Sequence, residues 1–256
     1  MAAASSNTTS HTSTPEEQLA FLSKGIHQIM TTLNTELDYR TFSDLYSTVY
    51  SYCTSLKLPE RQPPNNRSRG GGVLLGADLY KEIQRFLEAH LRPMKEKAQS
   101  LQPEDLLRYY VNEWERYTAG AKILNRVFAY FNRHWVKREQ HEGKKGEYWR
   151  EEEEEVYEVY TLALIQWKDY VFLPIQQDET KLTDALLNLI DRRRKGDSKM
   201  ADEGLLKAGI SSIVHLGIDN DDPSKECLDV YREHFEAPFL ESSKKYYEKE
   251  THKDNR

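Results

Sequence analysis

The chain has 256 residues, of which 38% are apolar and 30% are charged, and its formal net charge is −6. Its 16 tyrosines, 8 phenylalanines and 4 tryptophans exclude a disordered chain, because so many aromatic side chains indicate a folded core. The acidic balance argues against nucleic acid as the main partner, since nucleic-acid binding calls for a basic face.

The first stretch of the chain, residues 1–14, is rich in Ala, Ser and Thr. It has no apolar segment of the kind found in a signal peptide, so we expect a disordered N-terminal tail. No apolar run approaches the roughly 18 residues of a membrane span, so we expect no membrane association. The two cysteines, Cys53 and Cys227, are too few for a disulfide framework and favour a reducing, intracellular compartment.

Long stretches without Gly or Pro carry apolar residues at helical spacing, and the alternation typical of strands is nearly absent. The sequence therefore predicts an all-α protein. A first helix is predicted to begin at Thr14, which can cap the helix ahead of Pro15. A second helix is predicted at about 38–55, and after a loop rich in Pro and Gly a third is predicted at about 76–98.

The remaining predicted helices have glycine, proline or charged residues near their ends. We place them at about 103–120, 120–138, 157–174, 179–194, 202–216 and 224–236, with a last one from Pro238 onward. A hinge is expected at 143–146, followed by an acidic run at 151–155. Helices of this length joined by short loops indicate a bundle or a helical-repeat array.

Five features of the sequence could carry chemistry, and none of them favours an enzyme or a metal site. The glycines at 70–72 lack the Lys-Ser/Thr of a phosphate loop, and the acidic stretch 219–222 loses the calcium-loop pattern at its fifth position. His134 and His141 do not have zinc-ligand spacing, and Cys53 lies on the apolar stripe of its helix, where packing is favoured over nucleophilic chemistry. The basic run 192–195 suits a helix C-terminus, with a localisation or anion-binding role as the alternative. We expect no metal, no cofactor and no enzymatic activity.

The second helix is too apolar for a single core contact. With Phe42 at 0° and 100° per residue, Leu45, Val49 and Tyr52 fall at about 280–340°, and Tyr39, Tyr46 and Tyr50 fall at about 40–80°. The apolar arc is roughly 160° wide, whereas one core contact needs about 100°. One interpretation is a helix wedged between two neighbours of its own bundle. The other is that the aliphatic edge packs inward while the tyrosine edge meets a partner.

The fifth predicted helix repeats this pattern. Its core stripe consists of Leu124, Val127, Phe128, Phe131 and Trp135. A second strip beside that stripe consists of Ile123, Tyr130 and His134, flanked by Arg126 and Arg133. Two such helices could form one protein-binding face, in which arginine would grip carboxylates.

Three segments of the sequence resemble the N-terminal region of the cullin family: 44–53, 130–136 and 160–169. The resemblance is closest to the cullin that binds the Skp-type adaptor of SCF ubiquitin ligases, and it covers about residues 15–250. It implies an all-α, cullin-repeat helical stalk of five-helix repeats, here truncated. It further implies a first, adaptor-binding repeat at 15–146, and an acidic insertion plus most of a second repeat at 147–256.

The resemblance also implies a non-catalytic scaffold in the cytoplasm and nucleus, which binds a Skp-type adaptor carrying an F-box protein. Because the third repeat and the C-terminal domain are not in the sequence, no binding of a RING subunit is expected. Seven residues are carried over as adaptor contacts by position: Phe42, Ser43, Tyr46, Tyr50, Arg126, Tyr130 and Arg133. The alternatives are a regulatory stub that competes for the adaptor, and a purely structural helical protein in which Tyr46 and Tyr130 lie inside the chain.

Overall fold

A computed structural model of the protein describes residues 14–32, 37–55, 76–143, 155–177, 181–196, 203–219 and 225–254. The α-helices are α1 (Pro15–Thr31), α2 (Tyr39–Thr54), α3 (Ala77–Ser100), α4 (Pro103–Val127), α5 (Ala129–Phe131), α6 (Lys137–Gly143), α7 (Val159–Trp167), α8 (Leu173–Gln177), α9 (Lys181–Arg194), α10 (Glu203–His215), α11 (Asp229–Tyr231) and α12 (Ala237–Asp254). Three π-helical turns interrupt this series: π1 (Asn132–Val136), π2 (Lys168–Phe172) and π3 (Arg232–Glu236). The predicted all-α class is confirmed. The described residues contain no β-strand, and their only β-type pairing is an isolated bridge between Ile218 and Glu226.

The first two helices begin where their capping residues predict. Thr14 and Glu17 form a capping box, in which the Thr14 hydroxyl accepts from the Glu17 N–H at 3.3 Å and the Glu17 carboxylate accepts from the Thr14 N–H at 3.0 Å. Asp38 caps α2 by accepting from the Thr41 N–H at 2.9 Å. These bonds satisfy backbone donors that the first helical turn leaves without partners, so local sequence alone fixes both helix starts.

The predicted boundary at Gly120 is wrong. Gly120 is buried inside α4, which continues to Val127, and the helix is interrupted at Phe128 instead. A glycine in a helix interior costs only about 1 kcal/mol relative to alanine, and the buried face of this 25-residue helix outweighs that cost. The helical path then continues through α5, π1 and α6 to Gly143, beyond the predicted end near Arg138.

The boundaries predicted at two prolines are also wrong. Pro174 lies inside α8 and Pro238 inside α12, and each follows a π-helical turn by two residues. A proline normally clashes with the carbonyl four residues earlier, and a turn with one extra residue relieves this crowding. The last helical stretch therefore starts at Asp229 and runs through Pro238.

The helix predicted from about residue 157 starts later than expected. Residues 155–158, including Tyr157, precede α7 and are not helical.

The core is organised around α4, which contacts α1, α2 and α3 as well as α7, α9 and α10. Trp167 of α7 is fully buried against α4, with ring centroids 5.6 Å from Tyr110, 5.5 Å from Trp114 and 5.0 Å from Tyr117. The Tyr117 hydroxyl donates to the Ala163 carbonyl at 2.9 Å. Helices before and after residue 146 thus share one hydrophobic core.

Several predictions fall outside the described residues: the tail at 1–13, the Pro- and Gly-rich loop at 56–75, and most of the acidic run at 151–155. No helix in the described part of the chain is both long and apolar enough to span a membrane.

Candidate functional site

The aliphatic edge of α2 packs inward, as predicted. Leu45, Val49 and Tyr52 are all buried, with at most 2% of each residue exposed. Leu45 lies against Gly25 of α1 so closely that a Cβ added at Gly25 would be 2.2 Å from Leu45 Cδ2. Glycine at this position therefore lets α1 and α2 approach closely, which fixes how α2 presents its other edge.

The core stripe of the α4–α5–π1 segment is likewise buried, as predicted: Leu124, Val127, Phe128, Phe131 and Trp135 are each at most 5% exposed. This packing orients the second strip of the segment, which includes Tyr130, toward α2. The two elements with a second apolar edge, α2 and the α4–α5–π1 segment, are therefore neighbours in the fold.

Five of the seven predicted contact residues form two groups of ring contacts across these elements. The Phe42 and Tyr46 rings stack with centroids 6.4 Å apart, and the Arg126 guanidinium lies 5.6 Å from the Phe42 ring centroid. Tyr50 meets Tyr130 edge to face, with centroids 4.8 Å apart. We call the surface formed by Phe42, Ser43, Tyr46, Tyr50, Arg126, Tyr130 and Arg133 the tyrosine surface.

The tyrosine surface is only partly covered by the described chain. Tyr46 is 37% exposed and Tyr50 is 51% exposed, while Phe42, Ser43 and Tyr130 are half-buried. Large aromatic residues that stay accessible on neighbouring helices are typical of a protein-binding site. The purely structural alternative requires both Tyr46 and Tyr130 to lie inside the chain. The exposure of Tyr46 does not fit it, whereas Tyr130 is half-buried.

The charge on this surface is positive. Arg126 and Arg133 are exposed, and neither forms an ion pair with a residue that the structure describes. Desolvation raises the pKa of Tyr130, with Tyr50 close by as a secondary cause, so its hydroxyl stays protonated at neutral pH and can donate a hydrogen bond. The surface thus offers apolar rings, hydroxyl donors and two guanidinium groups.

Two residues outside the predicted set also belong to this region. The His134 ring lies 4.3 Å from the Tyr130 ring, centroid to centroid, and Tyr39 at the start of α2 is 87% exposed. The helical periodicity of the sequence had placed Tyr39 on the tyrosine edge of the second helix and His134 on the second strip of the fifth. That signal places a side chain on an edge of a helix but does not show its contacts.

A pair of asparagines on the segment that bears Tyr130 holds the start of α7. Asn132 donates to the Asn125 side-chain carbonyl at 2.8 Å, and the backbone N–H groups of Val159 and Tyr160 donate to Asn132 at 3.1 Å and to Asn125 at 3.2 Å. The N-cap residue of α7, Glu158, makes no capping bond with its own side chain. The asparagines therefore act as the cap of α7 from a different helix, a contact that no sequence spacing predicted.

The structure supports packing at Cys53, as predicted. Burial raises the pKa of this thiol to about 12, so it is not a thiolate at neutral pH and is a poor nucleophile. Three arginines of the basic run are engaged within the chain: Arg192 pairs with Glu104, Arg193 with Glu203, and Arg194 with Asp191. Among the described residues, no group of three His, Cys, Asp or Glu side chains could hold a metal ion.

Comparisons with known proteins point to one family. A family profile described as the cullin alpha solenoid domain matches residues 19–255. The chain is 35% identical to Cullin-1 of Dictyostelium discoideum over 234 residues, which cover 91% of this chain and 29% of that protein. It is 34% identical to Cullin-1 of Caenorhabditis elegans over 228 residues, covering 83% of this chain and 27% of that protein.

A third relative is cell division control protein 53 of Saccharomyces cerevisiae, with 29% identity over 233 residues that cover 91% of this chain and 26% of that protein. The chain therefore spans less than a third of the length of each of these relatives.

Proposed function

The chain belongs to the cullin family, and from this premise we propose that it acts as a scaffold of an SCF-type ubiquitin ligase. In this role it catalyses no chemical step. It binds a Skp-type adaptor that carries an F-box protein, in the service of ubiquitin-dependent protein degradation. We place this function in the cytoplasm and nucleus.

The observation that carries the proposal is the tyrosine surface. Tyr46 and Tyr50 remain accessible on α2, although the aliphatic edge of the same helix is buried. Tyr130 of α5 meets Tyr50 beside them. Tyrosine suits such an interface because its ring buries apolar area while its hydroxyl finds a polar partner. The adaptor is proposed to cover these rings.

The two arginines define the chemistry of the partner further. Arg126 and Arg133 project from a protein whose net charge is −6, so they form a local exception to its overall charge. A guanidinium binds carboxylates in a bidentate manner, and we therefore propose that acidic side chains of the adaptor meet these residues. A stable complex of standard size would bury about 800 Å² on each partner.

The test is a binding measurement with a purified Skp-type adaptor bound to an F-box protein. The whole chain and its Phe42→Ala/Tyr46→Ala variant are titrated by calorimetry. Truncation of two interface rings typically costs about 2–3 kcal/mol in binding, so we expect the dissociation constant to rise roughly 30- to 150-fold.

A matched control is Asp44→Ala/Ser47→Ala, because both residues are exposed on the same helix but lie outside the tyrosine surface. This control should bind as the wild type does, and all three proteins should give the same far-ultraviolet circular dichroism. Unchanged binding by a folded Phe42→Ala/Tyr46→Ala variant would count decisively against the proposal.

A further inference from the structure

Tyr39, the first residue of α2, is displayed to solvent more completely than any other large hydrophobic residue in the described part of the chain. It is 87% exposed, compared with 51% for Tyr50 and 37% for Tyr46. Its ring makes no aromatic contact and its hydroxyl no hydrogen bond with a described residue. The side chain therefore contributes little to the stability of the folded chain.

This exposed ring stands on an ordered turn. Asp38 accepts from both the Thr41 N–H, at 2.9 Å, and the Thr41 hydroxyl, at 2.7 Å. The backbone hydrogen bond from Thr41 and the side-chain one lower the pKa of Asp38, so the cap is charged and intact at neutral pH. A ring held on such a turn loses little backbone freedom when a partner covers it, which favours binding.

Tyr39 also continues the tyrosine surface in register. On the helical projection of α2 it falls at about 60°, between Tyr46 at about 40° and Tyr50 at about 80°. The distance along the helix axis from Tyr39 to Tyr50 is about 16 Å, and the stacked pair of Phe42 and Tyr46 lies between them. The three tyrosines thus share one edge over three helical turns.

We propose that Tyr39 is a further partner-binding residue, which lengthens the tyrosine surface by one helical turn and inserts its ring into an apolar pocket of the adaptor. The proposal rests on the proposed function, because the adaptor is the partner it names. It adds a specificity element: an adaptor without a pocket at this position gains nothing from Tyr39, whereas one with the pocket binds more tightly.

The experiment measures the affinity of the adaptor–F-box complex for the whole chain and four variants: Tyr39→Ala, Tyr39→Phe, Tyr46→Ala and Arg40→Ala. Arg40 is the matched control, because it is exposed in the same turn but points about 100° away around the helix. We expect Tyr39→Ala to weaken binding about tenfold, and Tyr39→Phe and Arg40→Ala to stay within about threefold of the wild type. Tyr39→Ala, Tyr39→Phe and Arg40→Ala should share the urea denaturation midpoint of the wild type, since Tyr39 and Arg40 are exposed. Tyr46→Ala should remain folded at a somewhat lower midpoint, because its ring stacks on Phe42.

The outcomes separate the two proposals. If Tyr46→Ala weakens binding while Tyr39→Ala binds as the wild type does, the role of Tyr39 is refuted and the proposed function stands. If Tyr46→Ala also binds normally, the proposed function fails and the inference fails with it. A loss in Tyr39→Phe as large as that in Tyr39→Ala would refute the apolar pocket, because the ring is retained in that variant.

Discussion

The contact between Tyr50 and Tyr130 offers a direct test of the geometry of the tyrosine surface. Their ring centroids are 4.8 Å apart with an interplanar angle of 70°, which is a favourable edge-to-face arrangement. Such pairs contribute about 0.5–1.5 kcal/mol beyond the area they bury. A double-mutant cycle of Tyr50→Ala and Tyr130→Ala should therefore show a coupling of about 1 kcal/mol in the free energy of unfolding.

The loss in free energy of unfolding caused by Tyr50→Ala alone follows from the area that its side chain buries. Tyr50 is 51% exposed, so about half of its surface, on the order of 100 Å², leaves water on folding. At about 25 cal/mol per Å² this burial amounts to at most about 2.5 kcal/mol, and the unfolded chain already buries part of that area. We expect Tyr50→Ala to lower the free energy of unfolding by about 1–2 kcal/mol.

The assay is urea denaturation of the four proteins of the cycle, followed by circular dichroism, with m-values compared to verify a common unfolding reaction. Because the two rings lie on different elements, the coupling reports how α2 sits against α5. A coupling within about 0.3 kcal/mol of zero would show that the rings do not touch in solution. It would also remove the geometric basis for treating α2 and α5 as one surface.

Three further predictions concern the packing that supports this surface. Gly25→Ala should lower the free energy of unfolding by about 1–3 kcal/mol in urea denaturation, because the new Cβ would be 2.2 Å from Leu45 Cδ2; an unchanged midpoint would contradict the close approach of α1 and α2. Asn132→Ala should accelerate amide hydrogen exchange in the first turn of α7 while leaving α2 unchanged, and equal exchange in both proteins would show that α7 is capped by other means. Tyr117→Phe should cost about 0.5–1.5 kcal/mol in thermal or urea unfolding, because it removes the buried hydrogen bond from the Tyr117 hydroxyl to the Ala163 carbonyl; a neutral result would argue against that hydrogen bond.

Much of α2 could be predicted from sequence because its determinants are local. Asp38 caps its own helix, and the spacing of Leu45 and Val49 identifies the edge that packs inward. The sequence alone does not determine the exposure of Tyr46. A wide apolar arc fits a helix packed between two other helices of the same chain, and it fits equally a helix packed on one side and covered by a partner protein on the other. Only the packed structure distinguishes these cases.

The features that sequence could not give depend on contacts between distant residues. Tyr50 and Tyr130 are far apart in the chain, and no periodicity relates them; the resemblance to a family placed them together before the structure did. The asparagine cap of α7 had no sequence signal either, because Asn132 reaches a helix start from another element. Gly120 and Pro174 suggested boundaries by composition, whereas burial of α4 and the turn π2 allow the helical path to continue.

The hydrogen bonds that cross residue 146 have a consequence for taking the protein apart. A piece ending at Gly143 would leave the buried hydroxyl of Tyr117 and the amide of Asn132 without the acceptor and donors that residues beyond 155 supply. A piece starting at Val159 would lose the side-chain cap of its first helix, and the Trp167 ring would lose its contact with the Tyr117 ring. Neither piece is expected to fold as an independent module. In a chimera between two relatives, the helices before Gly143 and those after Val159 should therefore come from the same protein, or the residues that form these hydrogen bonds should be matched.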